Sequence, residues 1–281
     1  MKHDLRSELI NILPSDVLPN LPRSFDIIGS KGHSVAIIEI SPQLKQYESE
    51  IAAAITRVHK NVLSVLSKET ERLGDYRIRE MRLIFGNSNT EVFHKESGCI
   101  FKVDPRKAYF SPRESTERER FRSMPLDNED ILIMFSGIGP FPICMAKSNP
   151  NIKLTAIELN PEAHKYCIEN IRINKLQGRI DAILGDVREV CLHLNKKFDR
   201  ILMPLPKGAY MFLDVAMKML KTPSILHFYH WAPTNNLWED AENLIEEASN
   251  LTGKQAEIIN RIKVSAYSAS LWKIRIDAKI S

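Results

Sequence analysis

No stretch of this 281-residue sequence stays apolar for anything near the roughly eighteen residues that a membrane-crossing helix needs. Its first residues, MKHDLRSELINIL, carry charges where a secretory leader would run apolar, so a soluble, unexported, cytoplasmic protein is expected. Cysteine is scarce: Cys99, Cys144, Cys167 and Cys191 stand apart, with no C-x-x-C pair. Neither a zinc site nor a disulfide framework is indicated, and a reducing compartment suits the chain. Internal repeats and low-complexity tracts are missing, and no heptad or long apolar edge calls for a second copy, so a monomer is expected. Charge of one sign is also in short supply. Lys and Arg total 39 against 35 Asp and Glu, and the net +4 permits an acidic partner such as RNA without requiring one. An apolar content of 43% is enough for one large domain and a smaller one.

The stretch Ile131–Ala146, ILIMFSGIGPFPICMA, organises the rest. It reads as a buried strand, a tight turn Ser136-Gly137-Ile138-Gly139-Pro140, and an apolar helix start. Glycines let the backbone bend sharply and lie against a ligand, with the helix's free N–H groups facing it, which describes a nucleotide-cofactor seat. Taken alone, a structural turn explains these residues as well. The next strand, Lys153–Ile157, ends in Glu158, about twenty residues on, where a carboxylate of a doubly wound fold can accept both ribose hydroxyls. NAD enzymes share that arrangement. A third strand, Ile180–Leu184, ends in Gly185-Asp186, and a fourth, Phe198–Met203, ends in Pro204-Leu205-Pro206-Lys207. An acid after the third strand can accept from the exocyclic amine of an adenine, and prolines after the fourth build a rigid wall beside the reacting group. In this order the motifs resemble a class I, Rossmann-like methyltransferase that binds S-adenosylmethionine. The candidate cofactor-binding residues are Phe135, Gly137, Gly139, Pro140, Glu158, Leu159, Asp186, Val187, Pro204 and Leu205.

Around this hub the pattern gives a small α/β domain over 1–108, a helical linker over 109–128 and the methyltransferase domain over 129–281. The prolines of Met1–Arg23 suggest a segment draped over the first domain rather than a core helix. Strands Phe25–Ile28 and Val35–Ile40 flank a Gly29-Ser30-Lys31-Gly32 turn as a hairpin. Three-and-four spacing predicts one helix over Gln46–Ser67, covering the hairpin. Strands follow at Tyr76–Phe85, Thr90–His94 and Cys99–Val103. Lys107–Arg122 is dense in Arg and Glu; a solvated helix with internal ion pairs explains it, although its place between two domains is where a cleft would lie. Helices at Pro161–Asn174, Arg188–Leu194, Tyr210–Leu220 and Trp238–Leu251, with a strand at Ser224–Trp231, predict a parallel sheet covered on both faces. Ala256–Val264 and Leu271–Ala278 complete an antiparallel edge. The run His227-Phe228-Tyr229-His230-Trp231 is better explained by strand alternation than by a metal site, and no metal is expected.

Several segments then match one family: Tyr76-Arg77-Ile78-Arg79-Glu80, His94-Lys95-Glu96-Ser97-Gly98, Tyr109-Phe110-Ser111-Pro112-Arg113, Glu117-Arg118, Phe135 to Phe141, Gly185 to Glu189, and Leu205-Pro206-Lys207. In order and spacing they resemble the archaeal and eukaryotic tRNA (guanine-37-N1)-methyltransferases, from about Phe25 to the C-terminus. The resemblance implies S-adenosylmethionine bound in the large domain and the base 3′ of the anticodon inserted between the domains. By position, Glu117 is similar to the family's general base and Arg77 to the arginine that holds guanine O6. Guanine N1 bears a proton, so a carboxylate must remove it while a cation steadies the charge growing on O6. Read without the resemblance, Arg77 would pair with Glu80, and Glu117 with Arg120 or Arg113. Arg118 resembles the family's cofactor-contacting arginine and Tyr109 the neighbour shaping the methyl-donor pocket. Arg113 and Lys207 are candidate phosphate contacts or surface charges.

The sequence departs from that family in three places. Pro204 stands where the family usually has an asparagine, Ile133 stands where an acid commonly ends the first strand, and the sequence starts almost directly with the inner small domain, without the N-terminal tRNA-inspecting module that many archaeal relatives carry, so recognition is expected to rest on the anticodon arm. Pro-Leu-Pro-Lys resembles an archaeal branch associated with wyosine synthesis, which also methylates C7 of 4-demethylwyosine. The alternatives are an aminocarboxypropyl transferase of the same pathway, which lacks the Leu-Pro-Lys piece, and a catalytically silent tRNA-binding module, against which Glu117, Arg77 and Arg118 argue.

Overall fold

The structure, a computed structural model, describes every residue except 1–3, 31, 71–73, 75, 77 and 78. Arg77, Ile78 and the Lys31 of the expected hairpin turn therefore lie outside the described residues. Contacts divide the chain into two compact units, one ending at Ser115 and the other beginning at Thr116.

The first unit opens with α1 (Leu5–Leu9). Asp4 caps it: the carboxylate accepts the Ser7 N–H at 2.8 Å, and the Ser7 hydroxyl accepts the Asp4 N–H at 3.0 Å. This corrects the expectation of a draped segment without a core helix. Leu9 is fully buried, and Leu13, Leu18 and Leu21 join it in one cluster with Ile51 and Ile55. β1 (Asp26–Ser30) and β2 (His33–Ile38) pair antiparallel as the hairpin expected. α2 (Glu48–Val58) stops well short of Ser67, because His59 leaves helical geometry at φ −115° and ψ 86°. Beyond it Val62, Leu63 and Leu66 lie in β3 (Val62–Lys68), parallel to β2. Most of that strand is buried, and a strand buried on both faces has no clean period of two, which is why its apolar run imitated a helix. β4 (Met81–Gly86) adds an antiparallel edge, beginning later than the predicted Tyr76. β5 (Val92–Glu96) and β6 (Cys99–Val103) form a separate ribbon that turns on Ser97 and Gly98 at φ 48° and 75°.

The second unit runs α3 (Ser115–Arg122), β7 (Asp130–Met134), α4 (Pro140–Ser148), β8 (Lys153–Glu158), α5 (Pro161–Ile173), β9 (Ile180–Leu184), α6 (Val187–His193), β10 (Phe198–Met203), α7 (Leu213–Met219), β11 (Leu220–Pro233), α8 (Glu239–Leu251), β12 (Ala256–Ala266) and β13 (Leu271–Ile280). The helix expected over Tyr210–Leu220 is a short 3-10 turn at Ala209–Phe212 followed by α7, and Leu220 already belongs to β11. The seven strands lie in the order β12-β13-β11-β10-β7-β8-β9. β7 to β11 run parallel, and β13 is inserted antiparallel between β11 and β12. Leu132, Met134, Ile201, Met203, Phe228 and Ile276 form the buried centre. Ile133, where the resemblance would put an acid, is buried too.

Leu9 tests whether α1 belongs to the first unit's core. Leu9→Ala should cost about 3 kcal/mol, read as roughly hundredfold faster hydrogen exchange of the β2 and β3 amides. Unchanged protection would detach the helix from that core.

Candidate active site

Where parallel strands end, side chains and backbone from neighbouring strands converge. β7 ends in Phe135, a non-glycine residue at φ 64°, whose ring meets that of Phe212 edge-on with centroids 5.0 Å apart. Gly137 and Gly139 follow at φ 57° and 87°. A Cβ on Gly139 would lie 2.9 Å from Cys167 Sγ and 3.2 Å from Ile143 Cδ1, so the turn packs too closely on α5 for any side chain. Asn170 on α5 holds the turn from below, its Nδ2 donating to the Ile138 carbonyl at 3.0 Å. Glu158, at the end of β8, accepts the Gly137 N–H on Oε2 at 2.6 Å and the Asn160 N–H on Oε1 at 2.8 Å. Burial raises its pKa above the ordinary carboxylate value, although three backbone N–H groups pull the other way. A carboxylate can accept about four hydrogen bonds, so acceptor capacity is left on Glu158 for a ribose hydroxyl.

One strand further on, Gly185 sits at φ 154° and Asp186 caps α6, its Oδ1 accepting the Arg188 N–H at 2.7 Å. Oδ2 has no hydrogen bond among the described residues and can take an amine. Pro204 and Leu205 follow β10, both half-buried, and Leu205 packs on the same core as Phe135 and Phe212. Pro140 and Leu159 are half-buried, whereas the Val187 side chain belongs to the core.

A second group of candidate residues centres on Glu117, which is 1% exposed. Its Oε1 accepts the Tyr229 hydroxyl at 2.6 Å and the Arg275 guanidinium, and its Oε2 accepts Arg120 at 2.6 Å. The helical pair with Arg120, an alternative open from sequence, is therefore formed. Arg275 also forks onto Asp277, Nε to Oδ1 at 2.7 Å and Nη2 to Oδ2 at 3.1 Å. His227 Nδ1 lies 2.6 Å from Asp277 Oδ1 and its Nε2 lies 2.6 Å from Arg200 Nη1. A carboxylate only accepts and a guanidinium only donates, so His227 is the neutral tautomer with the proton on Nδ1. Burial, with the nearby Arg200 and Arg275 charges, lowers the His227 pKa in agreement. Burial alone would raise Asp277, but the His227 hydrogen bond and the Arg275 charge bring it down to about 2. Burial and the Glu117 carboxylate push Tyr229 well above the usual phenol range, so its hydroxyl stays a donor. Arg200 closes the chain by forking onto Glu129, Nε to Oε2 at 2.6 Å and Nη2 to Oε1 at 2.9 Å.

Of this network the sequence marked only Glu117 as a candidate for the chemistry. The missed signal was alternation: Lys273-Ile274-Arg275-Ile276-Asp277 puts every charge on one face of β13, opposite Trp231, Tyr229 and His227 of β11. Arg118 is also buried, at 1% exposure. Tyr109, in the first unit, is half-exposed and lines a small cavity with Asp26, Lys68, Arg79 and Ser111. Arg113 is exposed and donates to Asp26 Oδ1 at 2.5 Å, and Lys207 is exposed. Among the described residues no cluster of His, Cys, Asp and Glu could hold a metal ion, and no helix is long and apolar enough to cross a membrane.

The family model of the TRM5/TYW2 methyltransferase domain matches residues 92–259, and that of the TYW2 N-terminal domain matches residues 5–90. The chain belongs to the TRM5/TYW2 methyltransferase family. It is 39% identical to the tRNA (guanine(37)-N(1))-methyltransferase Trm5b of Pyrococcus abyssi, over 98% of this chain and 79% of that protein. It is 32% identical to the tRNA (guanine(37)-N(1))/4-demethylwyosine(37)-methyltransferase Taw22 of Nanoarchaeum equitans, over 74% of this chain and 84% of that protein. A solved complex of aTrm5 and tRNALeu has a TM-score of 0.86 at 28% identity, covering 100% of this chain and 79% of that one.

The TRM5/TYW2 methyltransferases depend on S-adenosylmethionine. The residues present fit it: a turn whose tightness admits no Cβ at Gly139, a carboxylate with acceptor capacity left for a ribose hydroxyl, and a second with an open oxygen for an amine. Ribose hydroxyls favour the ionised Glu158. Donor affinity should therefore fall as the pH is lowered through a range lying above the ordinary glutamate value of 4.5. Glu158→Gln should weaken binding about tenfold at neutral pH and flatten that dependence. Calorimetric titration with S-adenosylmethionine checks both, and an unchanged pH profile in the variant would remove Glu158 from the site.

Proposed function

We propose that this chain is a methyltransferase that moves the methyl group of S-adenosylmethionine to N1 of guanosine 37 in tRNA. The observation that carries this reading is the 39% identity to Trm5b across 98% of the chain. The class I strand order, with Glu158 and Asp186 at the ends of adjacent parallel strands, supports it independently. S-adenosylmethionine, when bound, supplies an electrophilic methyl group on a sulfonium. Gly137, Gly139, Pro140, Glu158, Leu159, Asp186 and Val187 would seat its nucleoside, and Phe135, Pro204 and Leu205 would wall the reacting end. Arg118 and Tyr109 are assigned to the donor's methionine end by the family resemblance.

Glu117 takes the N1 proton in this reading. Oε1 is committed to Tyr229 and Arg275, so Oε2 is the atom that must give up Arg120 and accept the proton. The N1 lone pair is then free to attack, and Arg77 is assigned to the charge on O6. Arg113 and Lys207 are assigned to phosphates of the anticodon arm, Arg113 by exchanging Asp26 for RNA. A cytoplasmic monomer completes the reading.

Pro204 favours a second substrate. A proline carries no side-chain amide and leaves room for a larger, less polar ring, so C7 of 4-demethylwyosine is also proposed as a target, as in the activity Taw22 is named for. Nucleoside mass spectrometry of treated tRNA separates the readings. Wild type should add one methyl to guanosine 37, and Glu117→Gln should lower the rate at least about a hundredfold while leaving donor affinity within about twofold. Transfer of an aminocarboxypropyl group instead would replace the reading, and no methyl gain on tRNA carrying the tricyclic base would remove the second substrate.

A further inference from the structure

Both contacts on Glu117 Oε1 come from paired strands of the sheet, and one of them is anchored well beyond the carboxylate. Arg275 is 4% exposed in its side chain and spends its fork on two acids, Glu117 through Nη1 and Asp277 through Nε and Nη2. Asp277 is gripped in turn by His227 Nδ1–H and, on Oδ2, by Asn260 Nδ2 at 3.4 Å. Aromatic rings complete the packing: Phe121, one turn after Glu117 on α3, has the Arg275 guanidinium 4.6 Å from its centroid and the His227 ring edge-on at 4.9 Å. Lys273, the next charged residue on that face of β13, has its ammonium 4.9 Å from the Tyr229 ring.

We propose that Arg275 and Asp277 are positioning residues for the methyl transfer: Asp277 fixes the guanidinium, and the guanidinium with Tyr229 fixes Glu117 through Oε1. This rests on the reading of Glu117 as the base. A planar guanidinium forked onto one carboxylate has its remaining N–H directions set, so the second carboxylate is aimed as well as neutralised. Neither residue touches the guanine or the donor in this role; the two act through Glu117.

A double-mutant cycle on the full chain tests it, read as single-turnover transfer of radiolabelled methyl from S-adenosylmethionine to tRNA at saturating concentrations of both. Asp277→Asn should lower the rate about tenfold with KM for tRNA and for the donor unchanged. In the Glu117→Gln background the same change should lower the remaining rate less than about twofold, because a misaimed base cannot matter where there is no base. An equal fold-loss in both backgrounds, or a loss confined to KM, would overturn the positioning role while leaving Glu117 as the base. If Glu117→Gln alone leaves the rate intact, the base assignment falls and this proposal with it. Should Asp277→Asn lose cooperative unfolding, Arg275→Lys takes its place: it keeps the cation but not the fork, and the same background-dependent loss is expected, with background-independent loss overturning the proposal.

Discussion

Glu117 is a carboxylate almost wholly removed from water, and the second unit is arranged to answer its charge. An isolated buried charge costs several kcal/mol, so it persists only with counter-charges and donors in good geometry. Arg275, Arg120 and Tyr229 supply them, and the compensation continues through Asp277, His227 and Arg200 to Glu129. With His227 neutral, the three acids balance the three arginines. Such a set is weak as a stabiliser, because well-packed apolar side chains of similar volume often do as well, whereas deleting one member strands its partner at about 3–5 kcal/mol. Stability therefore does not account for the network; holding one carboxylate in one orientation does.

The strand order explains why the donor's candidate residues gather where they do. In the order β12-β13-β11-β10-β7-β8-β9 the chain goes one way from β7 to β9 and the other way from β7 to β11, and the crevice opens at the carboxyl ends of β7 and its neighbours. Glu158 ends one of those strands, Phe135, Asp186 and Pro204 lie just past the ends of three others, and the tight approach of the glycine turn to Cys167 on α5 fixes the floor. Glu158 is the costly member, its charge desolvated and answered only by backbone N–H groups. That is the state a carboxylate needs if hydroxyls are to be its best remaining partners.

What the sequence disclosed followed from local chemistry. The glycine turn, Gly185-Asp186, the alternation of helix and strand and the antiparallel pair at the end each depend on residues within one or two elements of each other. Local reading failed where burial is two-sided, as at Val62 to Leu66, whose apolar run continues the period of α2 by accident. It failed again where prolines masked the capped helix of Asp4 to Leu9. The charged network was out of reach for another reason: His227 and Asp277 are 50 residues apart, and Glu117 and Arg275 are 158 apart. Each of those residues, met alone, reads as an ordinary surface charge or a strand aromatic, and only the register of β11 against β13 brings them together.

That register admits no slack. Tyr229 stands opposite Arg275 and His227 opposite Asp277, while on the other face Phe228 stands opposite Ile276 and Leu226 opposite Ala278. Both faces of β13 are buried, one in the apolar core and one beneath α3. A slip of one residue would exchange the faces, driving Arg275 and Asp277 into the core and setting Ile274 and Ile276 against the Glu117 carboxylate. Such a slip would bury charge without partners on both sides of the sheet, so the polar face and the apolar face each select the same pairing. Antiparallel insertion matters for the same reason, since directly opposed side chains of an antiparallel pair lie close enough to share a partner. A strand that carries only apolar residues on both faces would have no such penalty for a register that is one residue wrong, and the carboxylate at 117 would have no fixed orientation.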